Sequence, residues 1–421
     1  MSQLQQSEHR SPAQRGAGSV RALTFHPFPL FLTCLLLIVS SVAWRKGTYY
    51  SGGTDAVVVA KAALTVLATS IALTMRRPPG AWSRVRAAPV LWVGTYLLIS
   101  VIGGVLNAEA IPTIVLACRL GLLTFALVLI TVSHPWTAVV SAMSSAMLVL
   151  VGFGVATGLG SLAETGRLYG GIPPLNANEI CLLLSVPVLV LFWKAVHGEA
   201  SRIEYCSLVP LLGTIWLTGA RTGLTGLLVM MALLTVLAPR VPARVVVGIA
   251  VTVPTLLFVA FLTPYVAAFV GRGDTASLLT LNSRTIAWRA ALNYPDTWAE
   301  KLVGSGLSLK QIPVTALYRD QQILDSTWIS ALIQVGYIGC AILLLFVIST
   351  IARAFRLPAG QRALVAATAL LIVTVGVLES GMFDTAPAFI VFFTMTMFAH
   401  RIVGPDEADP SVTAADDDRS P

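Results

Sequence analysis

Charged residues are scarce in this chain of 421 residues. Only 11% are Asp, Glu, Lys or Arg, whereas 56% are hydrophobic and the mean hydropathy is +0.80. A soluble globular domain carries about 25% charged residues, so this scarcity excludes one as the main architecture. Segments of alternating polarity, which are typical of membrane β-barrels, are also absent. What remains are continuous apolar runs, and in lipid such runs predict helices.

Several kinds of site are excluded because their motifs are missing. The sequence has no HExxH pair, no P-loop and no glycine-rich dinucleotide fingerprint. Its five cysteines contain no CxxC pair and fall inside apolar runs, so we expect buried thiols rather than a disulfide or metal site. All five histidines lie in segments that we place on the inner side of the membrane. We therefore predict no metal and no cofactor.

Apolar runs that are long enough to cross a hydrocarbon core of about 30 Å recur along most of the chain. They predict an all-α integral membrane protein with about twelve transmembrane helices and one long outer loop between spans 9 and 10. The break between the seventh and eighth spans is also compatible with one kinked helix. The predicted spans are Pro29–Trp44, Ala56–Met75, Ala88–Leu106, Ile111–Val132, Trp136–Gly158, Asn178–Trp193, Cys206–Gly219, Thr222–Ala238, Val245–Leu262, Trp328–Ala352, Leu364–Val377 and Ala386–Ala399.

The distribution of basic residues predicts the orientation. With the N-terminus inside, the inner segments hold sixteen Lys and Arg, and the short outer segments hold only Arg45, Lys46, Arg167 and Arg221. Short loops rich in Lys and Arg stay on the cytoplasmic side. Both termini are therefore predicted to be cytoplasmic. This bias also accounts for most of the net charge of +8, so we expect membrane lipids as partners and no nucleic acid.

Three parts are predicted along the chain. Residues 1–28 form a cytoplasmic N-terminal tail, residues 29–400 a polytopic membrane domain, and residues 401–421 an acidic cytoplasmic tail. Within the membrane domain, the outer loop covers residues 263–327. Loops of this length are usually functional or disordered.

The outer loop contains its own helical signal. Ser283 can cap a helix that begins at Arg284 and ends before Pro295. On that helix Arg284, Trp288 and Leu292 share one face, because they are spaced four residues apart. We therefore expect short helices in this loop.

Three arginines on the outer side lie in glycine-rich or polar segments. Arg167 lies in GRLYGGIPPLNAN, Arg221 in LTGARTGLTG and Arg284 in LNSRTIAWR. The planar guanidinium binds phosphate oxygens in a bidentate manner, so several arginines at a membrane surface suit a lipid-linked phosphate or pyrophosphate. The alternative is that these side chains only extend to the lipid headgroups.

Three of the ionisable residues within or beside the spans are candidates for function. Arg119 and Lys61 are inside the fourth and second spans, where ionisable groups are candidates for function or for structural pairing. Asp325 lies where the outer loop re-enters the membrane. Its carboxylate can accept a proton from an attacking hydroxyl, or it can serve as the N-cap of the tenth span.

Four short segments resemble one family. Asp325-Ser326 is a polar pair that is followed by nine residues and by Gly336-x-x-Gly339. This spacing resembles the superfamily of O-antigen ligases and O-antigen polymerases, bacterial envelope enzymes in which the ligase pair is His followed by Asn or Ser. The segments GRLYGGIPPLNANE, LTGARTG, and NSRTIAWRAAL with VGSGLS are similar to other segments of that family, in the same order.

The resemblance implies a membrane glycosyltransferase. Such an enzyme transfers a glycan from an undecaprenyl-pyrophosphate carrier to an acceptor hydroxyl, without a metal, on the outer face of the bacterial cytoplasmic membrane. The implied partners are a lipid-linked glycan donor and a glycan or lipid acceptor.

The resemblance also assigns residues. Arg221 and Arg284 would bind the pyrophosphate, and Asp325 would occupy the position of the family histidine. As a base, Asp has an ordinary pKa of ~3.9 against ~6.5 for His; as a phosphate ligand, it would repel the phosphate. This departure favours a polymerase of repeat units, or another branch, over a lipid A-core ligase. The candidate substrate-binding residues are Arg167, Ser326, Trp288, Asn178 and Arg119.

Other membrane proteins remain alternatives. A polytopic transporter or flippase of envelope precursors fits twelve spans with intramembrane charges, but the sequence shows no two-half symmetry. A peptidoglycan glycosyltransferase of the shape, elongation and division type also has one long outer loop, but its loop pattern is not found. Enzymes that use polyprenyl-phosphate sugars often carry acids in a large first outer loop, and here that loop is only about Arg45–Asp55.

Overall fold

The computed structural model describes residues 27–45, 55–238, 241–242, 245, 288–313 and 321–401. Nearly all of both predicted tails and of the predicted ninth span lie outside the described residues, as do the predicted cap Ser283 and Arg284.

The protein is 75% helical. Eleven of its described α-helices are long and two are short, and one helical turn of 3-10 type precedes α3 at Trp82–Arg84. The α-helices are α1 (Phe28–Ser41), α2 (Ala56–Thr74), α3 (Ala88–Leu106), α4 (Ala110–Ser133), α5 (Trp136–Gly158), α6 (Gly160–Thr165), α7 (Ala177–Val196), α8 (Arg202–Leu217), α9 (Arg221–Leu237), α10 (Trp298–Val303), α11 (Thr327–Ala354), α12 (Ala359–Gly376) and α13 (Pro387–Ala399).

Eleven of the predicted spans coincide with a described helix. Among the described residues, seven helices are long and apolar enough to cross a membrane, and α1, α9 and α13 are shorter apolar helices. Such a set indicates a multi-pass membrane protein. The predicted break between the seventh and eighth spans is present: α8 ends at Leu217, α9 begins at Arg221, and Gly219 between them has φ +63°. The chain therefore forms two separate helices here.

The helices differ in how deeply they lie in the bundle. The most apolar part of α7 is 83% buried, whereas that of α2 is only 22% buried. Every residue of α13 is buried, from Pro387 to Ala399. A helix that is apolar on all sides is stable only inside a protein or a membrane. Hence α7 and α13 form the centre of the bundle, and α2 presents apolar side chains at its periphery.

The outer loop is partly built from secondary structure. Residues 288–293 are helical and end before Pro295, as predicted. Helix α10 begins with a capping box of Thr297 and Glu300. Two short strands, β1 (Gln311–Pro313) and β2 (Gln321–Ile323), then pair in antiparallel register with Gln311 opposite Ile323. This sheet was not predicted, because a strand of three residues is too short to show a recognisable alternation of polar and apolar residues.

A glycine-rich stretch of the loop, Gly304–Ser308, is pressed against the bundle; we call it the docking segment. A Cβ on Gly304 would lie 2.3 Å from the Val335 nitrogen, and a Cβ on Gly103 of α3 would lie 2.5 Å from the Gly304 oxygen. No side chain fits at such distances. The glycines of VGSGLS thus allow the loop backbone to contact the backbones of α3 and α11.

Helix α11 is interrupted where the docking segment contacts it. Gly336 has φ +64° and ψ −167°, which is not helical, and a Cβ there would meet the Leu302 carbonyl carbon at 2.4 Å. Backbone N–H groups of the loop satisfy carbonyls near this break: Ser305 donates to Ile333 at 2.8 Å. Gly306 donates to Gln334 at 2.9 Å. Because buried backbone groups need partners, the break in α11 and the docking of the loop depend on each other.

Candidate functional site

The turn between α8 and α9, residues 218–221, is held by the segment that precedes α7; we call the turn together with Arg167 the arginine turn. The Leu168 N–H donates to the Leu217 oxygen at 3.0 Å. Arg167 Nε donates to the Thr218 oxygen at 2.9 Å, and its guanidinium lies 5.7 Å from the ring centroid of Tyr169. Arg167, predicted to bind substrate, therefore also has a structural task, since it binds the backbone of this turn.

Arg221 begins α9 beside this turn. Its Nη2 atom is buried and has no hydrogen-bond partner among the described residues. Buried polar atoms normally have a partner, so an unpaired guanidinium nitrogen indicates a binding partner that is not part of the described protein. The structure thus brings Arg167 and Arg221 to the same turn, but in different roles.

A cavity of about 340 Å³ lies at one end of the bundle; we call it the helix-end cavity. It is formed where α1 and α12 end and where α2, α7 and α13 begin, with α4 and the outer loop completing the wall. In the predicted topology all of these termini lie on the outer side. Its volume falls in the range typical of small-molecule sites, about 300–1,000 Å³.

The lining of the helix-end cavity is rich in charge. Four cations and four carboxylates balance each other formally, and two asparagines add amide groups. These residues are Arg45, Lys61, Arg119, Lys310, Asp55, Glu179, Glu379, Asp384, Asn176 and Asn178. Two of them also have structural tasks: Asp55 caps α2, and Asn176 caps α7 by accepting from the Glu179 N–H.

Lys310 and Asp384 connect the outer loop to the bundle. Lys310 Nζ donates to Asp384 Oδ2 at 2.7 Å, and the side chains are 15% and 32% exposed. Burial alone would raise the pKa of the Asp384 carboxyl, but the Lys310 ammonium and the Thr385 N–H hold that pKa below its ordinary value. The carboxylate is therefore charged at neutral pH.

Lys61 and Arg119 lie within α2 and α4, and each binds a carbonyl at the end of α1. Lys61 Nζ donates to the Val42 oxygen at 2.7 Å, and Arg119 Nη2 donates to the Ser40 oxygen at 3.1 Å. In the described part of the chain neither cation forms a salt bridge. Their positive charges consequently face the cavity without a directly bound carboxylate.

Asn178 links three helices at this end of the bundle. Its Nδ2 donates to Glu379 Oε1 at 2.5 Å, just beyond α12. The backbone oxygen of Glu379 in turn accepts from the Thr327 N–H at 3.1 Å, at the start of α11. The predicted substrate-binding residues Asn178 and Arg119 thus line the helix-end cavity, and a short chain of hydrogen bonds joins it to the start of α11.

Asp325 and Ser326 lie at that start of α11. Ser326 is buried and is the N-cap residue, although its side chain makes no cap hydrogen bond. The alternative that Asp325 itself is the N-cap is therefore wrong by one position. Asp325 is half-buried, and the residues that line the two described cavities do not include it. A smaller cavity of about 50 Å³ is lined by its neighbours Leu324 and Thr327.

Two predicted residues belong to the outer loop. Trp288 is half-buried in the helical stretch 288–293, and its Nε1 atom is buried without a hydrogen-bond partner in the described ranges. Arg284 lies outside the described residues, so its predicted role stays a prediction.

Sequence reasoning missed the acidic half of the helix-end cavity. Glu179 and Asp384 were not singled out, and neither was Lys310 of the outer loop. The signal available was the predicted topology, which places Lys61, Arg119 and Glu179 in the outer halves of their spans. Lys310 and Asp384 are 74 residues apart, and no local sequence pattern predicts that they pair.

No model of a known protein family matches the chain, and no curated protein matches it. Within the described residues, no group of three or more His, Cys, Asp or Glu could hold a metal ion.

Proposed function

We propose that this protein is a membrane glycosyltransferase of the O-antigen ligase and polymerase type. It polymerises or ligates glycan from an undecaprenyl-pyrophosphate carrier onto an acceptor hydroxyl, on the outer face of the bacterial cytoplasmic membrane. The observation that carries the proposal is that the segments resembling this family contact each other in pairs. The docking segment with its VGSGLS sequence packs on the GxxG part of α11, and GRLYGG packs on LTGARTG.

Arg221 has the properties of a pyrophosphate ligand. It lies beside a glycine-rich turn at the start of α9, and the unpaired Nη2 atom is available for an anion. A helix N-terminus also favours negative charge. In the proposed reaction Arg221 and Arg284 stabilise the pyrophosphate as the bond from its oxygen to the anomeric carbon breaks.

The reaction also needs a proton acceptor. The acceptor hydroxyl attacks the anomeric carbon of the donor sugar, loses its proton to a carboxylate, and forms the new glycosidic bond while undecaprenyl pyrophosphate leaves. Asp325 is the proposed acceptor by its position in the motif. Its place at the start of α11, one residue before the N-cap, leaves the carboxylate at the end of the bundle where the glycan would lie.

A transporter or flippase of envelope precursors is the second candidate. The observation that favours it is the helix-end cavity, because a charged cavity among helix ends is also typical of transporters. The two candidates differ in what they do to the carrier-linked precursor.

The decisive experiment is an analysis of lipid-linked oligosaccharides in cells that lack the protein and are complemented with variants. Arg221→Ala is expected to abolish polymeric or ligated glycan at normal membrane levels of the protein, because the leaving group loses its ligand. Arg202→Ala is the matched control, since Arg202 begins α8 at the opposite end of the bundle and is exposed.

The lipid analysis also separates the alternatives. Single repeat units that accumulate on the carrier indicate a polymerase, and full-length polymer on the carrier indicates a ligase. No accumulation in the deletion strain contradicts the enzyme, and carrier-linked precursor that stays on the cytoplasmic face of the membrane favours the flippase. Full activity of Asp325→Ala would exclude Asp325 as the proton acceptor.

A further inference from the structure

The helix-end cavity contains binding groups that the proposed transfer reaction does not use. Two of its ion pairs, Arg45–Asp55 and Lys310–Asp384, are closed within the protein. Lys61 and Arg119 remain on the cationic side, and their described hydrogen bonds go to backbone carbonyls. These two cations can therefore bind an anionic ligand.

Two buried atoms in the same cavity have no hydrogen-bond partner within the described residues. One is a donor, Arg119 Nε, and the other is an acceptor, Glu179 Oε2. The second Glu179 oxygen accepts from the Ala43 N–H at 3.4 Å. An unpaired buried donor and an unpaired buried acceptor in one cavity indicate a ligand that both accepts and donates hydrogen bonds.

We propose that the helix-end cavity binds a saccharide unit that carries a carboxylate. Arg119 and Lys61 bind the carboxylate, and Glu179 accepts a hydrogen bond from a sugar hydroxyl. Asn178 and Asn176 stand beside them with amide groups that suit further hydroxyls. The inference rests on the proposed function for its role in the cell, since it names the class of glycan unit that the enzyme would select.

The charge of the cavity argues against a phosphate or pyrophosphate there. A pyrophosphate would meet the two cations, but it would also face Glu179, Glu379 and Asp384. Like charges in close contact cost free energy, and the cost grows with the charge of the ligand. A monoanionic sugar satisfies the cations with one carboxylate, and it offers neutral hydroxyls to the acids.

A neutral sugar fits less well for the opposite reason. Its hydroxyls would serve Glu179, but Lys61 and Arg119, which form no salt bridge within the described residues, would gain no carboxylate as a direct partner. A guanidinium and a carboxylate form short, charge-assisted hydrogen bonds, which are about twice as strong as neutral ones. Recognition should therefore depend on the carboxylate.

The test measures binding to the purified full-length protein in lipid nanodiscs. The probes are a disaccharide that contains glucuronic acid, its uncharged glucose counterpart, and inorganic phosphate. We expect the acidic disaccharide to bind at least about tenfold more tightly than the other two, which corresponds to one charge-assisted hydrogen-bonded contact.

Variants connect that binding to the cavity. Arg119→Gln and Lys61→Gln should each weaken the acidic disaccharide by about tenfold, because glutamine keeps a hydrogen-bond donor but removes the charge. Arg119→Lys should retain more affinity than Arg119→Gln. Arg45→Gln is the control, since Arg45 lines the same cavity but is already paired with Asp55 and is 53% exposed. Elution as a single folded species and an unchanged unfolding temperature establish that each variant is folded.

Several results would overturn the inference: equal binding of the neutral disaccharide, tighter binding of phosphate, unchanged affinity in both glutamine variants, or no binding of any probe. Each of these results can be distinguished from a failure of the proposed function, because glycan transfer in cells is tested separately with Arg221→Ala. Loss of transfer in that variant together with no sugar binding in nanodiscs would refute only the acidic-sugar site.

Discussion

The arginine turn and the helix-end cavity use basic side chains in opposite ways. Arg167 stands in a glycine-rich segment that resembles an enzyme motif, and it is occupied by the Thr218 carbonyl and the Tyr169 ring. Arg119 stands in an apolar helix with no motif around it, and one of its nitrogens is buried and unpaired among the described residues. A basic residue in a motif is thus not necessarily a ligand, and one in a span is not necessarily a structural anchor.

The docking segment ends two residues before Lys310, which lines the helix-end cavity. Gly304→Ala should therefore cause the largest effect. Its φ of +72° is strained for alanine, and the new Cβ would overlap the Val335 nitrogen. We expect a loss of about 3 kcal/mol in the free energy of unfolding, measured by thermal unfolding in detergent.

Gly94→Ala is the control for that measurement. Gly94 lies in α3, and a Cβ there has no neighbour within 4 Å. Its stability should equal or exceed that of the wild type, since alanine favours helices. If Gly304→Ala unfolded at the wild-type temperature, the close packing of loop and bundle would be refuted.

An intermediate effect is expected from the pair of Lys310 and Asp384. Asp384→Asn should lower the free energy of unfolding by about 1–2 kcal/mol near neutral pH, because a partly buried charged hydrogen bond is lost. The folded-state pKa of Asp384 lies below its ordinary value of 3.8. The stabilisation is therefore fully present above that value, and it disappears as the pH falls through the folded-state pKa.

Unfolding temperatures of the wild type and Asp384→Asn, measured from pH 7 to below pH 3.8, test the pH dependence. The two curves should differ at pH 7 and converge in acid. Arg45→Gln should match the wild type throughout, since its pair with Asp55 is longer, at 3.4 Å, and more exposed. Curves that ran parallel down to the lowest pH would contradict the assigned ion pair.

The smallest effect separates the two arginines of the turn. Arg167→Ala should lower the free energy of unfolding by about 1 kcal/mol, because the Thr218 carbonyl loses its donor. Arg221→Ala should leave stability unchanged, since the Nη2 atom has no partner to lose within the described protein. Equal losses in both variants would show that Arg221 is structural as well, and would remove it as a ligand for the carrier.

The helical architecture was predictable because each apolar run ends at proline, glycine or charge. The break before Arg221 was predicted for the same reason, since Gly219 allows the chain to turn. The short strands and the cavity could not be predicted in this way. Asn178 and Glu379 are 201 residues apart, and their contact depends on how α7 packs near α12. The sequence predicted several charged residues near the outer ends of the spans. Only the packing of the helices shows that these residues line one cavity.

The interruption of α11 has a consequence for how the protein is assembled. The ribosome produces α3 first, then the docking segment, and finally α11 with Gly336. Until α11 is in place, the backbone N–H groups of Ser305 and Gly306 have no carbonyl to bind, and the groove at Gly103 stays open. The docking segment therefore takes its final position only after α11 has formed, and the cavity that Lys310 completes is closed late in biogenesis.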